Sequence, residues 1–236
     1  MSAKILYRPA DIIGFVMNFD TIAPHSFWHV LTRLGEMQIL IPAALLVAFP
    51  MLRQRDTRVA AVDWLGGLFA AALITTVSKV AFIGWAVGYA PLNFTGISGH
   101  SMFSAAVFPM LLGAMAPASN VRARRAAIAA GCVLAVAVGI SRLAVGVHSL
   151  TEVLAGLALG GTVGLYCATR YIHTLQRVSP VIPVLVTLWL VVSPLQTPQF
   201  PTHSAVTRLA MALSGHATPY TRADMLHKYT KTLQGT

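Results

Sequence analysis

Charge is what this chain has least of. Only 10% of its 236 residues are Asp, Glu, Lys or Arg, where a soluble domain carries about 25%. With 56% hydrophobic residues beside so few charges, the composition is that of a membrane protein. Carboxylates are scarcer than cations, 7 Asp and Glu against 17 Lys and Arg, for a net charge of +10. The cations are spread over short loops, so the excess gives no reason to expect a nucleic-acid partner. The only two cysteines, Cys132 and Cys167, both lie inside apolar runs, where they behave as small hydrophobes rather than as a disulfide pair. The N-terminus has Lys4, Arg8 and a short apolar stretch, Ile12 to Phe19, but no small-residue cleavage site, and no cleaved signal peptide is expected. Between about residues 30 and 195 no polar linker interrupts the apolar runs. The expected organisation is an N-terminal tail over 1–29, one transmembrane domain over 30–195 and a polar C-terminal tail over 196–236.

Crossing a bilayer takes about 20 mostly apolar residues, because an unpaired backbone group in hydrocarbon is too costly for any open chain. Six stretches meet or approach this length: 30–50, 61–85, 99–116, 125–146, 150–168 and 180–195, the last interrupted by Pro183. The expected fold is therefore all-α, a polytopic bundle of five to six transmembrane helices. Orientation follows from the loops, since short cytoplasmic connections collect Lys and Arg. Arg53, Arg55 and Arg58 follow the first stretch, Arg122, Arg124 and Arg125 the third, and Arg170 and Arg177 the fifth, whereas connections 86–98 and 147–149 contain no Lys or Arg. The first set is assigned to the inside and the second to the outside. The C-terminal tail, with Arg208, Arg222, Lys228 and Lys231, is outside if the sixth stretch crosses and inside if it does not.

Ionisable side chains within membrane segments are costly and mark function by default. Asp63 lies near an inner end, where a solvated carboxylate is the simple reading, and Arg33 and Glu36 are spaced to pair with each other. The remainder, Lys79, His100, Arg142, His148 and Glu152, come from four different segments, and the orientation puts all of them at the outer face. Such a set suits attack on a phosphate, with cations for the phosphoryl oxygens, two imidazoles for nucleophile and proton donor, and a carboxylate to orient one of them. His148 and Glu152 are four apart, so a helix brings them to one face. Ser98, Gly99 and His100 open the third segment, Ser98 as a candidate N-cap and the free N–H groups as an anion site.

These residues resemble a known family. Ser141-Arg142, five residues, His148, three residues and Glu152 resemble the S-R-x5-H-x3-D signature of the type 2 phosphatidic acid phosphatase (PAP2) superfamily. Ser98-Gly99-His100 resembles its P-S-G-H signature, and Lys79 the lysine that opens its K-x6-R-P signature. The resemblance implies that His148 attacks phosphorus, that Glu152 orients it and that His100 protonates the leaving oxygen. Lys79, Ser98, Gly99, Ser141 and Arg142 would hold the phosphate. It also implies no metal and no cofactor. Three departures stand out: Ala86-Val87 where the family carries Arg-Pro, Ile97 for the proline of the second signature, and Glu152 for aspartate. Arg33, at the outer end of the first segment, is the candidate to supply the absent guanidinium.

The implied activity is dephosphorylation of a lipid phosphate or pyrophosphate at the extracytoplasmic face, with the substrate's tail in the bilayer and a bacterial cytoplasmic membrane as the expected location. A lipid phosphotransferase of the same fold, or a non-catalytic lipid-phosphate binder or transporter, are the alternatives. Two further features read as structure. Gly156, Gly160 and Gly164 form a ladder of small residues suited to close helix packing. A second Ser-Gly-His, at 214–216, lies in the polar tail and starts no apolar helix.

Overall fold

The computed structural model describes residues 25–117, 119–174, 181–196 and 202–234. The basic residues Lys4 and Arg8, the apolar stretch Ile12 to Phe19 and Arg177 lie outside the described residues. Within them the chain forms nine α-helices: α1 His25–Arg33, α2 Met37–Arg53, α3 Arg55–Trp85, α4 Gly99–Met115, α5 Val121–Ala144, α6 Leu150–Arg170, α7 Val181–Gln196, α8 Thr202–Ser214 and α9 Arg222–Gln234. A single 3₁₀ turn, Ala90–Leu92, interrupts the loop between α3 and α4. Helices α3, α5 and α6 are each long and apolar enough to cross a membrane, and α1 with α2 forms a fourth candidate. At 17 and 16 residues, α4 and α7 are shorter apolar helices, so the expected five or six crossings include two below the usual length.

Helix α4 is the centre of the bundle. Met102, Ala106, Val107, Phe108, Met110 and Leu111 on it are fully buried, because α6 covers one side and α5 another, with α2 and α3 closing the rest. A Cβ on Gly160 would lie 2.1 Å from the Met102 carbonyl oxygen, and one on Gly156 would lie 2.6 Å from that of Ser98. Only bare backbone permits this approach, so the glycine ladder presses α6 onto α4 along a parallel seam. Trp64 is buried where α3 crosses α4 and donates its indole N–H to the Ala106 carbonyl at 2.8 Å, as a tryptophan away from water requires. Facing outward are large apolar side chains such as Phe49, Phe69, Val133, Leu154 and Val184. A bundle apolar on both its inner and outer surfaces is what a bilayer solvates.

The helices alternate in direction, which gives the bundle two unlike ends. One carries the arginine-rich connections after α2, α4 and α6. There Tyr171 donates to Asp63 across α6 and α3, so Asp63 is bonded to a neighbouring helix as well as exposed. The opposite end carries the loops before α4 and α6 and the break between α1 and α2. The first segment, expected as one helix over 30–50, is two helices bent by 46°. At this elbow a Cβ added to Gly35 would meet Val138 at 2.6 Å and the His100 backbone carbonyl oxygen at 3.1 Å. Only glycine permits so close a seat of the elbow against α4 and α5.

Helix α7 leans on α2, with the Trp189 indole donating to the Ile39 carbonyl at 2.9 Å. Beyond it the chain is not a loose tail. Helix α8 packs along the last turns of α3, and Val80, Phe82, Ile83, Ala210 and Met225 form a second, smaller core there. The Tyr220 N–H donates to the Ile83 carbonyl at 3.0 Å, and the Tyr220 and Phe82 rings meet edge to face with centroids 5.4 Å apart. Helices α8 and α9 thus sit at the end opposite the arginine loops.

Candidate active site

All five of the singled-out polar residues gather at that end. His148 lies in the turn between α5 and α6, and its Nδ1 is 2.7 Å from Oε2 of Glu152. The Glu152 side chain is completely buried and that of His148 is 14% exposed. Local sequence fixes the carboxylate: Ser149 caps α6, and Glu152, the third residue of the helix, closes a capping box by accepting the Ser149 N–H at 3.1 Å. A capping box calls for glutamate or glutamine at this position, so the extra methylene relative to aspartate still brings the carboxylate to the imidazole.

His100, in the first turn of α4, interacts electrostatically with Arg142, Lys79 and His148, and Lys79 in turn with Arg142 and Glu152. The ammonium of Lys79 stands over the start of α4, 3.8 Å from where a Cβ on Gly99 would project. Cation and helix N-terminus therefore face the same space, an arrangement suited to an anion. Arg142, at the last turn of α5, donates through Nη1 to Thr32 Oγ1 at 2.7 Å, which ties it to the elbow of α1. Its buried Nε has no hydrogen-bond partner among the described residues. Ser98 and Ser141 are both fully buried. Ser141 donates to the Val138 carbonyl at 2.6 Å. Ser98 occupies the N-cap position of α4, but its side chain makes no capping bond. Instead its hydroxyl accepts from Ser101 at 3.0 Å, and its backbone N–H donates to the Glu152 carbonyl at 3.1 Å. That last bond joins the second and third signatures directly.

Burial lowers the pKa of His148 below its ordinary value, while the Glu152 hydrogen bond pulls the other way. Removing water from a cation costs more than removing it from a neutral ring, so desolvation favours the neutral imidazole. If Nδ1 carries the proton and donates it to Glu152, Nε2 is left with its lone pair. Among the described residues no three His, Cys, Asp or Glu side chains form a metal-binding group.

Arg33 does not stand apart as a spare cation: it lies 3.5 Å from Glu36 across the elbow, the pairing its spacing predicts. Ala86, where the family carries arginine, ends α3 in the left-handed region with φ 58°. Besides Arg142, a guanidinium that reaches the cluster comes from a residue the sequence marked only as a basic tail residue. Arg222 donates through Nη2 to both Glu152 oxygens, at 2.8 and 2.7 Å. Thr95 is a second residue the sequence did not single out, giving Glu152 Oε1 its N–H at 2.8 Å and its hydroxyl at 2.6 Å. The one signal for Arg222 was Thr221 followed three residues later by Asp224, a helix-start pattern, which says nothing of where that helix docks.

The structure is thus an apolar helical bundle with two histidines, a carboxylate and three cations, Lys79, Arg142 and Arg222, gathered at one end. The sequence profile of the PAP2 superfamily matches residues 43–177, and the chain belongs to that superfamily. It is 34% identical over 212 residues to a Klebsiella pneumoniae protein described as an uncharacterized 22.5 kDa protein in the cps region, covering 85% of this chain and 98% of that one. It is also 34% identical over 142 residues to phosphatidylglycerophosphatase B of Bacillus subtilis (strain 168), covering 55% of this chain and 66% of that one. No solved structure matches this chain. Membership of the superfamily makes the chain a membrane protein of phosphatase type.

Proposed function

We propose that the protein hydrolyses a lipid phosphate or pyrophosphate through a phosphohistidine, at the extracytoplasmic face of a bacterial cytoplasmic membrane. The observation that carries this reading is the 2.7 Å bond between His148 Nδ1 and the buried Glu152 carboxylate, with Arg142, Lys79 and His100 interacting around it. In the first step Nε2 of His148 attacks phosphorus, the N–P bond forms, and the bond from phosphorus to the lipid oxygen breaks. His100 gives that oxygen a proton. In the second step His100 takes a proton from water, the resulting hydroxide oxygen bonds to phosphorus, and the N–P bond breaks to release inorganic phosphate and restore His148. Lys79, Arg142, the Gly99 N–H and Ser98 hold the phosphoryl oxygens, where charge builds in the transition state, and Ser141, bonded to the Val138 carbonyl, sits at the edge of that cradle. Glu152 fixes the tautomer of His148 and stabilises its imidazolium. The arginine loops at the opposite end support the outward orientation, and the relation to phosphatidylglycerophosphatase B supports a glycerophospholipid substrate. The test is phosphate release by purified protein in detergent across a panel of lipid phosphates and pyrophosphates, with and without chelator. Release that survives chelation, together with radiolabel trapped on the wild type and absent from His148→Ala, is expected. No release by folded protein, with label transferred to an added lipid alcohol, would move the reading to a phosphotransferase.

A further inference from the structure

We infer that Arg222 is a positioning residue for this chemistry, and that it makes the C-terminal helices part of the active site. The inference rests on the role of His148 given above. Glu152 has two tasks that conflict. As the third residue of α6 it must cap the helix, and as the partner of His148 it must hold a fixed direction. A glutamate has one more rotatable bond than the family's aspartate, so it needs more restraint to hold that direction. The structure supplies restraint from two places. Thr95 holds Oε1 with two donors, and Arg222 Nη2 bridges both oxygens and reaches Thr95 Oγ1 at 3.2 Å. Arg222 is itself held from behind, since its Nη1 donates to Asn93 Oδ1 at 2.9 Å.

The helix that presents Arg222 is firmly seated. Thr221 donates its N–H and hydroxyl to Asp224 at 2.9 and 2.6 Å, which fixes the first turn of α9. Tyr220 is bonded to the end of α3, and Met225 is buried against Val80, Phe82 and Ile83. A Cβ on Gly88 would lie 3.0 Å from Met225 Sδ, so the loop after α3 and the start of α9 are packed together. Arg222 approaches the carboxylate that His148 also uses, and both of its terminal nitrogens are engaged, Nη1 by Asn93 and Nη2 by Glu152 and Thr95. Its route to His148 runs through Glu152.

The charged groups around His148 come from five elements: Glu152 of α6, Arg222 of α9, Lys79 of α3, Arg142 of α5 and His100 of α4. Removing one cation from this set makes the imidazolium easier to form, so His148 protonates at higher pH. The experiment compares wild type, Arg222→Gln, Arg222→Lys and Glu152→Asp, with the Arg222→Gln/Glu152→Asp double variant, by phosphate release across pH from whichever member of the lipid phosphate and pyrophosphate panel the wild type turns over fastest. Arg222→Gln is expected to lower kcat by about tenfold to a hundredfold with KM little changed, the range for residues that orient a catalytic group. The acid limb of its profile should move to higher pH. Arg222→Lys should recover part of kcat, as a point charge without the fork. In the Glu152→Asp background the shorter carboxylate has already lost much of the Arg222 bond, so the further loss should be smaller than in wild type. An active wild type with Arg222→Gln unchanged in kcat and pH profile overturns the inference alone. A rise in KM with kcat intact also overturns it, since Arg222 would then be a substrate contact. A wild type that releases no phosphate overturns the proposed function and this inference together.

Discussion

The chain contains the triplet Ser-Gly-His twice, and the two copies have opposite fates. Ser98-Gly99-His100 starts α4, the helix buried at the centre of the bundle, with Ser98 fully buried and His100 among the cations of the site. Ser214-Gly215-His216 ends α8: Gly215 takes φ 71°, its N–H donates to the Met211 carbonyl at 2.9 Å, and His216 is exposed. In the first copy glycine opens a helix and leaves space for a ligand, and in the second it closes one. The difference lies in which side of an apolar run the triplet occupies, since a helix N-terminus offers free N–H groups and a C-terminus offers free carbonyls. The second copy still has a use, because His216 Nδ1 bonds the Gly84 carbonyl at 2.8 Å and helps seat the segment that carries Arg222.

Substitution separates the two copies most widely at the histidines. His100→Ala should lower kcat for phosphate release by about a hundredfold to ten-thousandfold, the range for losing a general acid; a loss below tenfold would remove His100 from the chemistry. Gly99→Ala comes next. The new methyl enters the space between the Lys79 ammonium and the start of α4, so kcat/KM should fall by about tenfold to a hundredfold while the melting midpoint in detergent stays put. The pH profile sharpens the first copy's setting. His148 must be neutral to attack, and burial holds its pKa below the usual value of about 6.5. Activity should therefore fall as pH drops below that value, when His148 takes a proton, and fall again on the alkaline side, where His100 has no proton to give; an acid limb above about 6.5 would contradict the buried imidazole. At the second copy, Gly215→Ala forces a side chain into the left-handed region and should cost about 1 kcal/mol of stability with kcat unchanged. His216→Ala should be the mildest, removing one hydrogen bond worth about 0.5–1.5 kcal/mol and changing phosphate release by less than about twofold.

Much of this was legible because membrane residence simplifies the code. Apolar runs and arginine loops mark the crossing segments and their alternation, and the close approach of α6 to α4 follows from Gly156, Gly160 and Gly164. The convergence of Lys79, His100, Arg142, His148 and Glu152 was legible for the same reason, since alternation alone decides which ends meet. Other features depend on contacts that one-dimensional pattern does not carry. The elbow at Gly35 sits against Val138 and His100, and the same sequence without those neighbours reads as one helix. Ser98 matches an N-cap by type, but its side-chain oxygen accepts from Ser101 and makes no capping bond. Arg33 and Arg222 show the limit most directly. Both are arginines near the right face, and nothing local distinguishes the one that pairs with Glu36 from the one that reaches Glu152.

The bond between Arg222 and Glu152 joins residues 70 positions apart, which puts a time order on biogenesis. By the end of α6 the chain already contains His148, Glu152, Lys79, His100 and Arg142. Arg222 is still to be translated, and so are α7 and α8, which precede it in the chain. A chain that ends before α9 therefore has His148 and Glu152 but lacks the arginine that bridges both carboxylate oxygens.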